Sequence, residues 1–144
     1  MTAIPKNILS HWRIVVVDDE EDSLELAEAL LLEYGATVFT AQNGQEALEI
    51  IRQTQPDLVI SDVSMPVMDG WGLIDTLKRN RTYANLPIIA LTAHAMRGDR
   101  ERAIAAGFHN YLTKPLTATT FMRDLLNLLI EIPEMSAHLT AFQS

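Results

Sequence analysis

Carboxylates follow two strongly apolar runs of this sequence, at the points where each run ends. Residues 14–17 lead directly into Asp18 and Asp19, and residues 58–61 lead into Asp62. Short apolar runs of this kind predict strands that are buried on both faces, as in a parallel sheet. The carboxyl ends of parallel strands meet at one edge, where open α/β sheets bind their ligands. We therefore expect these three carboxylates to lie close together.

Two further polar residues end later apolar runs. Residues 87–91 lead into Thr92, and residues 110–113 lead into Lys114. Their hydroxyl and ammonium groups could donate to an incoming oxyanion and neutralise it. Crowded carboxylates favour a hard divalent cation, and Mg²⁺ suits a site that offers one or two carboxylates together with water and phosphate oxygens. The set predicts Mg²⁺-dependent phosphoryl transfer to an aspartate.

The elements that must position these residues alternate between strand and helix along the chain. Five strand-like runs are each followed by apolar residues at helical spacing, which predicts a doubly wound α/β fold with a five-stranded parallel sheet and five helices. In the first helix, Asp22 or Ser23 is the expected N-cap, and Glu20, Glu21 and Asp22 are interpreted as solvated acid at its N-terminus. Gly35 is the expected stop signal.

Later boundaries follow from the same signals. The fourth helix is expected from about Arg97 to Ala106, with Gly107 ending it, and the last helix is expected to reach Ile132 before Pro133. Residues 1–12 read as an N-terminal extension, residues 13–132 as the single domain, and residues 133–144 as a short tail. Pro5 and Trp12 of the extension could pack on the domain or engage a partner.

Composition limits the class of function. Eleven Lys and Arg against nineteen Asp and Glu give a net charge of −8, which disfavours direct binding to nucleic acid or to an anionic membrane. There is no cysteine, so disulfides and thiolate metal sites are excluded. No secretory signal is visible, and no stretch reaches the roughly 18 apolar residues of a membrane span. These features predict a soluble cytoplasmic protein.

Together with their order and spacing, these motifs resemble a known family. The acidic pair after the first strand is followed by Asp62-x-x-Met65-Pro66-x-Met68-Asp69-Gly70, Thr92-Ala93 and Lys114-Pro115. Over roughly residues 13–131 the chain resembles the response-regulator receiver domain of two-component signalling, here in a stand-alone form. The resemblance implies a flavodoxin-like sheet with strand order 2-1-3-4-5. This strand order is typical of receiver proteins.

The resemblance also implies a role for each matching residue. Asp62 would be phosphorylated by a sensor histidine kinase or a histidine phosphotransfer protein, and Lys114 and Thr92 would contact the phosphoryl group. Mg²⁺ would be held by Asp19, Asp62 and the backbone carbonyl of Ser64, with Asp18 acting through water. The Lys114-Pro115 dipeptide by itself also suggests a cis peptide bond, which would aim Lys114.

The same resemblance implies how the signal would leave the domain. Thr92 and Tyr111 would form a coupled switch that changes the face made by the fourth helix, fifth strand and fifth helix. That face would include Arg97, Arg100 and residues 117–121, and it would contact a downstream protein target. The domain would be a signalling phosphoacceptor with slow self-catalysed phosphorylation and dephosphorylation, and not an enzyme acting on other substrates.

Two alternatives come from other classes of protein. Phosphohydrolases of the haloacid dehalogenase type also form an aspartyl phosphate, but they carry a second Asp two residues after the nucleophile, where this chain has Ser64. A phosphorylation-independent receiver scaffold would not need the matching chemical residues, all of which are present. His94 reads equally well as a residue that tunes hydrolysis of the phosphoryl group and as a solvent-exposed loop residue.

Overall fold

Five parallel strands form one sheet in the order β2-β1-β3-β4-β5, in a computed structural model that describes residues 4–65, 67–93 and 99–132. The strands are β1 (Arg13–Val17), β2 (Thr37–Ala41), β3 (Leu58–Asp62), β4 (Ile88–Thr92) and β5 (Asn110–Thr113). All five residues of β3 and of β4 are buried, as their continuous apolar runs predict. The predicted fold class and strand order are confirmed.

Four helices connect successive strands, a fifth follows the last strand, and together they cover both faces of the sheet. They are α1 (Glu21–Glu33), α2 (Gly44–Thr54), α3 (Gly70–Arg79), α4 (Asp99–Ala106) and α5 (Phe121–Leu129). Alternate residues of β1 point to opposite faces. Ile14 and Val16 pack in a core with residues of α1 and α5, whereas Val15 and Val17 pack in a second core with residues of α2, α3 and α4. No helix of the described residues has the length and hydropathy needed to cross a membrane.

Two helix boundaries differ from the sequence prediction. The first helix begins at Glu21 with Glu20 in the N-cap position, so the predicted caps Asp22 and Ser23 are wrong. The Glu20 side chain forms no cap hydrogen bond there because it extends towards Lys114. The last helix is regular only to Leu129, and a tighter turn, closed by the bond from Ile132 N to the Leu129 carbonyl, carries the chain on to Ile132.

The predicted stop signal of α1 is confirmed. Gly35 has a φ of +96°, a left-handed conformation that glycine adopts without steric cost. The amide of Ala36 then donates to the carbonyl of Leu31, which satisfies a carbonyl that the helix end would leave without a partner. The chain is thereby turned into β2.

The N-terminal segment packs on the domain, at the end of the sheet where the strands begin. Ile8, Leu9 and Trp12 are buried in the core that also contains residues of α1 and α5. The Leu9 amide donates to the Tyr34 carbonyl, and the Thr37 amide donates to the Trp12 carbonyl. The described part of this segment therefore contributes to the hydrophobic core, at the opposite end of the strands from the strand-end carboxylates.

Candidate functional site

The predicted site residues converge at the carboxyl edge of the sheet. Asp62 is the last residue of β3, and Asp18 directly follows β1. Because Val17 is in register with Ser61, the two carboxylates emerge side by side. Lys114 follows β5, and its amide donates to the Thr92 carbonyl over 2.8 Å, which ties it to the end of β4. The Lys114–Pro115 peptide bond is cis, as proposed from the sequence.

The Lys114 ammonium lies at the centre of this group. Its Nζ donates to Oδ2 of Asp62 over 2.7 Å and to Oε1 of Glu20 over 2.8 Å. It also lies 2.8 Å from Oδ2 of Asp18, at an angle too poor for a hydrogen bond. Burial works against the charged form of Lys114, but Asp18, Asp62 and Glu20 outweigh it and raise the pKa of Lys114 above its ordinary value. The ammonium is therefore permanently charged at neutral pH.

The loop after β3 holds the Asp62 carboxylate in place. Oδ1 of Asp62 accepts a hydrogen bond from the Ser64 amide over 2.9 Å, while Oδ2 pairs with Lys114. The loop is anchored at two further points, by the bond from Gly70 N to the Val63 carbonyl and by the bond from Gly44 N to the Met68 carbonyl. Both carboxylate oxygens are thus oriented by the protein.

Asp18 is the most buried acid of the site. Its side chain is fully buried, and Oδ1 accepts the Glu20 amide over 2.9 Å. Burial raises the pKa of Asp18 to about 6, and Lys114 and the Glu20 amide only partly oppose that shift. Oδ2 of Asp18 accepts no well-aligned hydrogen bond from the described residues. Among the described residues, Lys114 is the cation that faces this oxygen.

Three carboxylates are close enough to share a metal ion. One oxygen from each of Asp18, Glu20 and Asp62 lies within 4.8 Å of the others. All are hard oxygen donors, which suits a divalent cation that prefers carboxylate and water. Asp19 is exposed and is not a member of this cluster, so its assignment as a direct ligand stays a prediction.

Glu20 is the residue that the sequence interpretation assigned to a solvated helix terminus. The structure pairs it with Lys114, which lies 94 positions further along the chain. Its position could have indicated that it belongs to the site. Glu20 is the third of three consecutive acidic residues after the first strand, and the first two were already assigned to the predicted site. Nothing local distinguishes such a residue from an ordinary acidic first turn of a helix.

The remaining predicted residues fall into three groups. Thr92 is buried at the end of β4, and Tyr111 is half-buried in β5. Ser64 is exposed in the loop after Asp62. Outside the described residues lie Pro66, His94, Arg97 and the tail from residue 133 onward.

We expect Asp18→Asn to stabilise the protein at pH 7 when no divalent ion is present. Asp18 has a pKa of about 6 in the folded protein against an ordinary value of 3.8. Folding therefore favours the protonated form, and the stability associated with Asp18 is lost as the pH rises from about 4 to about 6. The cost at pH 7 is on the order of 3 kcal/mol. Asparagine does not titrate and avoids that cost.

The measurement is urea unfolding of parent and variant at pH 4 and pH 7 in a chelating buffer, with Asp57→Asn as the matched control. Asp57 is exposed and accepts the Arg13 amide at the other end of β3. The advantage of Asp18→Asn should be largest at pH 7 and should nearly vanish at pH 4. A difference between variant and parent that is the same at both pH values would contradict the electrostatic cause.

The fold and the site define the class of protein. Residues 14–126 match the family model for the response regulator receiver domain, and the chain therefore belongs to that family. The predicted resemblance is confirmed. Proteins of this class are signalling phosphoacceptors and not conventional enzymes.

Named relatives include proteins of different architecture. The chain is 32% identical over 112 residues to the polar-differentiation response regulator DivK of Brucella anthropi, covering 78% of this chain and 91% of DivK. It is 42% identical over 109 residues to the sensor histidine kinase GacS of Pseudomonas protegens, covering 73% of this chain but only 12% of GacS. The chemotaxis response regulator CheY4 of Vibrio cholerae is 30% identical with a TM-score of 0.77, over 82% of this chain and 98% of CheY4.

Proposed function

We propose that the protein is a phosphorylation-controlled binding module in which Asp62 accepts a phosphoryl group from a histidine kinase or a histidine phosphotransfer protein in the cytoplasm. The observation that supports this most directly is the 2.7 Å contact between the Asp62 carboxylate and the Lys114 ammonium, within a cluster of three carboxylates of which Asp18 and Asp62 are buried. A carboxylate fixed in this way is both a nucleophile and the centre of a site that can neutralise incoming negative charge.

In the proposed transfer, a carboxylate oxygen of Asp62 attacks the phosphorus atom of a phosphohistidine. A new O–P bond forms while the P–N bond breaks, and its electron pair leaves with the imidazole, which takes up a proton. Lys114 is placed to follow the negative charge as it moves from the Asp62 carboxylate to the phosphoryl oxygens. Thr92 lies at the end of the adjacent strand, and its hydroxyl can donate a hydrogen bond to the phosphoryl group.

The donor set fits Mg²⁺, which would neutralise phosphoryl oxygens when bound. Asp62 and Asp18 belong to the carboxylate cluster that could hold it. From the family resemblance we propose Asp19, Asp62 and the Ser64 carbonyl as its ligands, with Asp18 acting through water. The chain's own contribution is to hold these oxygens at the strand ends and to keep Lys114 beside them.

A small phosphodonor with Mg²⁺, followed by intact mass measurement over time, tests this function. We expect one phosphoryl adduct that turns over slowly and that does not form when Mg²⁺ is chelated. Rapid, repeated hydrolysis of diverse phosphoesters would instead favour a phosphohydrolase. Failure of any adduct to form with saturating donor and Mg²⁺ would favour a phosphorylation-independent scaffold.

The proposed output surface is the face formed by α4, β5 and α5. A groove of about 440 Å³ on this face is lined by residues that include Arg100, Tyr111 and Phe121. The backbone amide of Lys114 donates a hydrogen bond to the Thr92 carbonyl. Movement at the end of β4 therefore acts directly on the chain that follows β5. We propose that a downstream protein docks here and that Thr92 and Tyr111 couple this face to the phosphoryl group.

We expect Thr92→Ala to bind the phosphoryl mimic beryllofluoride at Asp62 but to lose most of the resulting change at the output face. The variant keeps the Lys114 and Asp62 contacts but lacks the hydroxyl that the phosphoryl group would attract. The measurement is the beryllofluoride-induced amide shift by NMR in α4, β5 and α5. Thr40→Ala in β2 is the control and should respond like the parent. Equal shifts in Thr92→Ala and the parent would exclude this coupling.

A further inference from the structure

Glu20 and Lys114 form an ion pair that bridges distant parts of the chain at the candidate site. The Glu20 side chain is 63% exposed, whereas Lys114 is only 7% exposed. Glu20 therefore reaches inward from the rim of the site to a buried ammonium. An acidic side chain at the N-cap of a helix ordinarily accepts a hydrogen bond from a backbone amide of the first turn. The Glu20 side chain forms no such bond at the start of α1.

The charges around Lys114 are unbalanced. Its single positive charge faces Asp18, Asp62 and Glu20, with Nζ to oxygen distances of 2.7 to 2.8 Å. A phosphoryl group on Asp62 would bring further negative charge and further acceptor oxygens to the same ammonium. Lys114 also has two buried partners besides Glu20, because it is hydrogen-bonded to Asp62 and ion-paired with Asp18. What Glu20 adds is a third anion that competes for it.

We propose that Glu20 is a counterion that competes with the phosphoryl group for Lys114. The Glu20 carboxylate thereby lowers the affinity of the site for a phosphoryl group and raises its affinity for a divalent cation. This inference rests on the proposed function of Asp62. In the unphosphorylated protein Glu20 occupies one hydrogen-bonding position of Lys114. On phosphorylation it must give up that contact or remain close to a like charge, and either outcome disfavours the phosphorylated state.

The two opposite effects on affinity provide the test. Glu20→Gln keeps the size and polarity of the side chain but removes the charge. We expect it to bind Mg²⁺ about three- to tenfold more weakly than the parent and, at saturating Mg²⁺, to bind beryllofluoride about three- to tenfold more tightly. Both affinities are measured by NMR titration of the full chain. A variant that had merely loosened the site would bind both ligands more weakly.

Glu21→Gln is the matched control, because it removes the same charge one position later. Glu21 is exposed in the first turn of α1, and no ion pair joins it to the described residues. It should shift both affinities far less than Glu20→Gln. Weakening of both ligands in Glu20→Gln, or equal behaviour of the two variants, would overturn the proposal. If the parent itself binds no beryllofluoride at saturating Mg²⁺, the proposed function fails first and the role of Glu20 fails with it.

Discussion

Asp62→Asn is expected to abolish phosphorylation while leaving the fold intact. The amide is nearly the same size as the carboxylate and can still accept one hydrogen bond, from Ser64 N or from Lys114. It is not a nucleophile towards phosphorus, so no adduct should form. Removing one of three crowded carboxylates also relieves repulsion in the metal-free protein, which offsets the loss of the ion pair with Lys114.

The experiment incubates parent and variant with a small phosphodonor and Mg²⁺ and measures intact mass. Asp57→Asn is the control at the opposite end of the same strand, where the carboxylate accepts the Arg13 amide, and it should be phosphorylated like the parent. Unchanged urea unfolding would show that Asp62→Asn is folded. Acid-labile phosphate that persists on Asp62→Asn would move the acceptor to another residue.

Gly70→Ala is expected to damage both stability and phosphorylation. A Cβ atom on Gly70 would overlap the Asp62 carbonyl oxygen and would lie 2.7 Å from Cα of Val63. These are backbone atoms of the strand end and cannot move aside as a flexible side chain can. We expect a loss of about 3 kcal/mol or more in the free energy of unfolding. Because the displaced backbone carries Asp62, phosphorylation of the protein that remains folded should also slow.

Gly72→Ala, one half-turn later in α3, is the matched control. There the added Cβ would meet Cγ of Met68 at 3.2 Å, the side chain of a flexible residue, and alanine is favoured over glycine in a helix by about 1 kcal/mol. We expect this variant to be neutral or more stable. Urea unfolding and phosphodonor labelling are compared for both variants. If Gly70→Ala is as stable as Gly72→Ala, the close approach of α3 to the Asp62 backbone does not constrain the site.

Much of the architecture could be predicted from the sequence because its signals are local. The continuous apolar runs of β3 and β4 indicated strands buried on both faces, and the glycine after α1 indicated where that helix ends. The strand order came from the resemblance to receiver domains and was confirmed. Asp18, Asp62 and Lys114 were expected at one edge because each stands at the carboxyl end of a strand-like run, and the structure brings these three together.

By itself, then, the sequence determined the alternation of elements and which polar residues stand at strand ends, since periodicity and chain breaks are properties of neighbouring residues. Only the tertiary structure decided what long or distant side chains contact. Glu20 pairs with Lys114 and not with the start of its own helix, and Trp12 is buried in the core and not left for a partner. The physical reason is that these contacts depend on where residues far apart in the chain meet, and the burial that raises the pKa of Asp18 exists only once the sheet and its covering loops have assembled.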